Sequence, residues 1–182
     1  MDEEIHPVKE YLFDYIEKSE KKIQELLTQS KMDEVIEDIL DNCYYKTSLM
    51  NDKEESLGVL ATGILHYMLT SAMLASQRKV EHQGIEVDIV IPDLKTLEQD
   101  PKKTLIICIP KTGDKKRITE KLEKLQTIQP EKQNIWLVLT QDLGFENKTF
   151  VVQKDGNFSR IIFEIAQFVN VQGHNKFKIL RI

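Results

Sequence analysis

The stretch from Gly84 to Lys111 decides the fold, and it reads GIEVDIVIPDLKTLEQDPKKTLIICIPK. Apolar residues alternate with others in its first part, where Ile85, Val87, Ile89 and Ile91 are separated by Glu86, Asp88 and Val90. A period of two predicts a β-strand with one face in the core and carboxylates on the other. Leu105 to Ile109 is a continuous apolar run that Pro110 ends, and such a run is typical of a central strand covered on both faces.

The segments on either side of this stretch continue an alternation of helices and strands. Upstream, Asn51 and Glu54 resemble a capping box that begins an apolar helix running to about residue 76, and residues 78–82 form an extended stretch. Downstream, apolar spacing predicts a helix over 115–128, a strand over 135–139, an edge strand over 149–152, a helix over 158–169 and a last strand over 176–182. We therefore predict an α/β fold, with a mixed central sheet flanked by helices.

The N-terminal third has a different character. Apolar residues at helical spacing predict one amphipathic helix over about residues 7–28, interrupted only by Ser19. Ser30 is a candidate N-cap for a second, shorter helix that extends to Cys43. We expect residues 1–50 to form a helical hairpin and residues 51–182 an α/β core, packed as one compact unit. The hairpin also offers an apolar surface for a second copy or a protein partner.

The charge of the chain is unevenly distributed. The 182 residues have a formal net charge of -5, but residues 1–56 hold 16 acids and 7 bases, a charge of -9, and the remainder is therefore +4. Eight bases against three acids lie between Lys102 and Lys124. We expect a polyanion such as DNA to meet this basic region.

Composition also indicates where the protein resides. No apolar run approaches the ~20 residues that span a bilayer, and the acidic start is unlike a secretory signal, so no membrane association and a cytoplasmic location are expected. Cys43 and Cys108 lie in apolar surroundings without metal-ligand spacing, so both are predicted to be buried, reduced thiols.

The order of elements and the residues at the strand ends carry a resemblance to a known superfamily. A helix, a strand hairpin, a third strand, a helix and a strand, with GIEVDIVI before LIICIPK, resemble the PD-(D/E)XK, or restriction endonuclease-like, nucleases over about residues 52–140. The resemblance implies a restriction endonuclease-like core and Mg²⁺-dependent cleavage of DNA. It places Asp88 at the first acid, Lys111 at the motif lysine and Glu55 near the helix glutamate, and these three are the candidate catalytic residues.

The second acid of that motif is missing, because Ile109 occupies its position and an isoleucine cannot bind Mg²⁺. Some relatives carry this acid on the following helix, where Glu120 and Glu123 are candidates here. The candidate metal ligands are therefore Asp88, Glu86 and Glu120. Each of these has a structural alternative: Asp88 can form an ion pair with Lys111, and the helix glutamates can pair with neighbouring lysines.

Three further residues extend the candidate site toward nucleic acid. Lys115, Lys116 and Arg117 can neutralise phosphates beside Lys111, or they can simply form a solvated helix face. Glu55 can act only through its charge at a helix N-terminus, and His66 lies among apolar helix residues as expected of a core histidine.

Two functions from different classes follow from these residues. The first is a nuclease-like domain that binds or cleaves DNA in a Mg²⁺-dependent manner. The second is a catalytically inactive pseudo-nuclease that serves as a protein or nucleic-acid interaction module, which Ile109 and the acidic net charge favour. The sequence leaves open whether the chain is an enzyme, and a plain α/β regulatory domain is a third interpretation.

Overall fold

The structure is a computed structural model, and it describes residues 4–50 and 52–172. The helices of this part are α1 (Pro7–Lys18), α2 (Glu20–Thr28), α3 (Met32–Ser48), α4 (Lys53–Ser71), α5 (Leu94–Gln99), α6 (Lys115–Ile128) and α7 (Ile161–Val171). The strands are β1 (Gln77–His82), β2 (Ile85–Ile91), β3 (Leu105–Cys108), β4 (Ile135–Leu139) and β5 (Thr149–Val151). The predicted last strand over 176–182 lies outside the described residues.

The five strands form one mixed sheet in the order β1-β2-β3-β4-β5. β1, β2 and β3 are antiparallel neighbours, with Ile89 opposite Ile107, whereas β3, β4 and β5 run parallel, with Ile107 opposite Trp136. The parallel strands β3 and β4 are fully buried, as their continuous apolar runs predicted. The predicted α/β class and mixed sheet are confirmed.

Helices cover both faces of this sheet. On one face, α1, α3, α4 and α7 share a core with Ile89, Ile107 and Val138. On the other face, α6 packs Ile118 and Leu122 against the opposite side of the same strands. Because successive residues of a strand point to opposite faces, each central strand contributes to both cores.

Several local expectations are corrected by the structure. The helix expected over 7–28 is two helices, because Ser19 leaves helical geometry at φ -107 and ψ 12. The N-terminal part is consequently three helices instead of a hairpin. Asn51 is outside the described residues, and the side chain of Asp52 caps α4 by accepting a hydrogen bond from the Glu55 N–H. The segment between β2 and β3, for which no helix was predicted, contains α5, which the Asp93 side chain caps.

Other observations concern burial. Cys43 and Cys108 are buried and unpaired, and burial raises the pKa of each thiol to about 12. None of the helices within residues 4–50 and 52–172 is long and apolar enough to span a bilayer.

α1 approaches α4 closely at Gly63, where an added Cβ would lie 2.6 Å from a methyl group of Leu12. The N-terminal helices therefore form part of the main core.

Candidate functional site

The side chain of Asp88 accepts two hydrogen bonds, one from the backbone after β3 and one from α6. Its Oδ2 atom accepts from the Ile109 N–H at 2.8 Å and from Nζ of Lys121 at 3.0 Å. The side chains of Asp88 and Lys121 are only 20% and 31% exposed. An ion pair was one of the expectations for Asp88, but its partner is Lys121 of α6, and the expected pairing with Lys111 is not formed. This carboxylate connects the sheet to a helix.

The alternation of β2 breaks at Val87, next to Asp88. Ile89 and Ile91 pack in the core on the α4 side, whereas Val87 and Val90 pack in the core on the α6 side. Val87 and Ile89 would share a face in a regular strand. Lys79 in the neighbouring strand has φ 47, which is a left-handed conformation. The strand pair is therefore distorted at this level, and a strict period of two does not hold.

Lys111 lies on the other side of the sheet from Asp88. It follows β3 and crosses α4 at Gly58, where an added Cβ would meet Cγ of Lys111 at 3.2 Å. Glycine allows this close approach because it has no side chain. Lys111 is exposed. The acid and the lysine of the expected motif therefore face different helix layers.

The glutamate that faces this end of the sheet is Glu54. Its carboxylate accepts a hydrogen bond from the hydroxyl of Thr140, which follows β4, and lies 3.4 Å from the position of a Cβ on Gly113. Glu55, the candidate from the sequence, is exposed. Helical spacing could have identified Glu54, because Glu54 and Gly58 are four residues apart and share the face turned toward Lys111.

The remaining candidate metal ligands are spread over the surface. Glu86, Glu120 and Glu123 are exposed. Within residues 4–50 and 52–172, no group of three or more His, Cys, Asp or Glu side chains could hold a metal ion. Mg²⁺ requires convergent oxygen ligands, and the carboxylate of Asp88 is already engaged by an ammonium group and a backbone N–H. This set of donors does not fit the ion.

The basic start of α6 is solvated. Lys115, Lys116 and Arg117 are exposed, and the side chain of Asp114 caps the helix by accepting from the Lys116 N–H. Arg117 lies 3.9 Å from the same carboxylate, and Lys115 lies 5.5 Å from the ring centre of Phe145. The side chains of Arg117 and Lys115 therefore have local partners.

A second group of cations lies on the α4 side, and its members come from three elements. The cation cluster consists of Lys9 of α1, Arg78 and Lys79 of β1, and Lys111 after β3. Burial lowers the pKa of the Lys9 amine, and the neighbouring charges of Lys79, Lys111 and Arg78 lower it further. None of the ion pairs in the described part of the chain involves these four side chains. An anionic ligand at the cluster would offset the repulsion that Lys9 experiences from these neighbours.

An open groove of about 400 Å³ continues from this cluster along the end of α4. Arg78 is common to both, and the groove is lined by His66, Leu69, Thr70, Met73, Leu74, Ala75, Ser76 and Arg78. His66 is half-buried instead of lying in the core, and burial, then Arg78, then Lys9 lower its pKa. The groove and the cation cluster form one continuous surface.

Sequence reasoning missed this surface because its residues are far apart in the chain. Lys9 is separated from Arg78 by the whole of three helices, and no local motif links them. The basic region that the sequence did single out, from Lys102 to Lys124, contributes only Lys111 to the cluster. A chain-wide charge count cannot detect a cluster formed by tertiary packing.

The fold and the site define an α/β protein with a mixed sheet and a cationic surface beside the end of its central strands. Comparison of the chain with models of protein families, with curated proteins and with solved structures found no match.

Proposed function

We propose that this chain is a pseudo-nuclease: a restriction endonuclease-like core that binds nucleic acid through the cation cluster without cleaving it. The order α4, β1, β2, α5, β3, α6, β4 and the mixed sheet support the relationship to the PD-(D/E)XK nucleases, with α5 as an addition between β2 and β3. The observation that carries the proposal is that Lys111 and Asp88 lie on opposite sides of the sheet. Lys111 joins three unpaired cations on one side of the sheet, while Asp88 is held by Lys121 on the other.

The cation cluster suits a phosphate backbone better than a compact anion. Its four side chains extend from α1, the edge strand β1 and the end of β3, so the positive charge runs across the sheet. A polynucleotide presents negative charges in series, and each contacted phosphate releases counterions. Four contacts predict a slope of log affinity against log salt of about -3.6 for duplex and about -2.8 for single strands.

The test is fluorescence anisotropy with labelled DNA and RNA at several salt concentrations. We expect Lys9→Gln/Lys79→Gln to weaken binding and to reduce the salt slope by about 1.5, because two phosphate contacts are removed. Lys116→Gln/Lys124→Gln is the matched control, since it removes two exposed charges from α6. If the control weakens binding and the cluster variant does not, the interface lies on the basic region indicated by the sequence, and the proposed cluster is wrong.

Cleavage is tested on the same protein with plasmid and branched DNA in Mg²⁺ and Mn²⁺. The proposal expects intact DNA. Metal-dependent nicking that disappears in Asp88→Asn would show a working nuclease, and the pseudo-nuclease proposal would then be discarded.

The N-terminal helices complete the proposal as a surface for a second copy or a protein partner. Phe13, Tyr45 and Leu49 are large apolar residues of this region that remain exposed. Sedimentation of the wild type beside Tyr45→Lys/Leu49→Lys tests for self-association.

Two buried, unpaired thiols support a reducing compartment, and we propose the cytoplasm.

A further inference from the structure

Met73 adopts a backbone conformation that disfavours its own residue type. Its φ is 56, and the end of α4 has the hydrogen bonds of a Schellman motif. The Met73 N–H donates to the Thr70 carbonyl at 3.1 Å, and the Leu74 N–H donates to the Leu69 carbonyl at 3.0 Å. Glycine is the usual residue at this position because it has no Cβ to strain.

The fold gains no burial from this methionine. Its residue surface is 92% exposed, which is the highest value among the exposed large apolar residues of the described chain. A strained backbone and a solvated apolar side chain both raise the free energy of the folded state. Backbone outliers of this kind are frequent at ligand-binding sites.

The groove beside Met73 joins an apolar side to a charged end. Met73, Leu69 and Leu74 line it together with Arg78 and His66. Lys9 of the cation cluster lies near both residues: its charge lowers the pKa of His66, and the charge of Arg78 lowers the pKa of Lys9. A nucleotide has the same two parts, a planar apolar base and a negatively charged phosphate.

We propose that this groove binds one unpaired nucleotide of a single-stranded polynucleotide, with the phosphate against Arg78 and Lys9 and the base against Met73 and Leu74. The inference rests on the proposed function, because the cation cluster must hold the adjoining backbone. A methionine thioether contacts aromatic rings favourably and adapts to any of the bases. Blunt duplex keeps its bases stacked inside, so it can use the cation cluster but not the groove.

The test compares a labelled oligothymidylate of about 12 nucleotides with a blunt duplex of the same length, by anisotropy. Met73→Gly is expected to weaken binding of the single strand about 2- to 12-fold, the range that the loss of a methionine–ring contact gives. Binding of the duplex is expected to stay unchanged. Met73→Leu keeps an apolar side chain at the site and should retain most of the single-strand affinity.

Gln83→Gly is the matched control, because Gln83 is also an exposed residue with a positive φ, 52, and it lies outside the groove. It should bind both probes as the wild type does. Equal single-strand binding by Met73→Gly and the wild type overturns the inference, as does a wild type that binds only duplex. Retained binding in Lys9→Gln/Lys79→Gln would instead refute the proposed function, so the two failures are distinguishable.

Discussion

Replacing Asp88 with alanine tests whether this carboxylate holds the sheet to α6. The change removes the acceptor of the Ile109 N–H. Because Ile109 is only 2% exposed, leaving this N–H without an acceptor costs about 2 kcal/mol of stability. The ion pair with Lys121 is partly solvated and adds about 1 kcal/mol. We expect a loss of about 3 kcal/mol in the free energy of unfolding. With a slope of about 2 kcal/mol per M, the urea midpoint falls by about 1.5 M.

A double-mutant cycle separates the two contacts. Asp88→Asn keeps an oxygen for the Ile109 N–H but loses the charge, and Lys121→Met removes the ammonium group while its apolar stem is retained. Each single change should cost about 1 kcal/mol, and the double variant should cost less than their sum by about 1 kcal/mol. Urea unfolding followed by circular dichroism measures all four proteins.

A metal-binding role makes a different forecast for the same proteins. If Asp88 held Mg²⁺, about 10 mM of the ion would raise the wild-type midpoint, and Asp88→Asn would abolish that increase. We expect the same midpoint with and without Mg²⁺. A magnesium-dependent increase that requires Asp88, or a midpoint in Asp88→Ala close to that of the wild type, would refute the structural role.

Three further outcomes are expected. Met73→Gly and Gln83→Asn should each raise the free energy of unfolding by about 1 kcal/mol, because both positions have positive φ; thermal unfolding measures this, and a loss of stability would contradict it. Lowering the pH should tighten nucleic-acid binding in the wild type more than in His66→Gln, because burial and the neighbouring Arg78 and Lys9 lower the pKa of His66, and its protonation adds a cation beside Arg78. Equal pH profiles of the two proteins would exclude this role. Stability should fall as the pH rises above about 9, since Cys43 and Cys108 have pKa values raised to about 12 in the folded state and ionise earlier when unfolded; urea midpoints in a Cys43→Ala/Cys108→Ala variant should show a smaller alkaline decline.

The elements that the sequence predicted accurately are those with a strong local pattern. The helix over Lys115–Ile128 and the strand over Ile135–Leu139 have the predicted bounds, because each has a single apolar face or run that ends at polar residues. The class of the fold followed from the order of such segments. Breaks within a pattern were harder to place: Ser19 is the one interruption of the apolar spacing over 7–28, and the apolar residues continue after it, so a single helix was predicted. The backbone turns at Ser19 and divides this segment into two helices.

The site was less predictable, because its geometry depends on side-chain direction across neighbouring strands. Asp88 was expected to point with Glu86 toward the motif lysine, which holds for a regular strand. Lys79, which lies beside this part of β2, has a left-handed backbone conformation. The sequence does not predict this conformation, because a positive φ is rare for lysine. Asp88 lies on the same side of the sheet as Val90 and meets α6, whereas Lys111 lies against α4.

The position of Ile109 explains why an acid there would not complete a metal site with Asp88. Its side chain is 2% exposed and belongs to the core shared with α4, so a carboxylate in its place would lie among apolar side chains. Its N–H, on the same residue, already holds Asp88 from β2. An acid at this position would thus be buried on the α4 side while Asp88 remains bonded to Lys121 on the α6 side, and the two carboxylates would still not converge on one ion. The cations that surround Lys111 need no such convergence, because phosphates spaced along a strand can be bound one by one. The arrangement of these residues is therefore compatible with the proposed binding of nucleic acid.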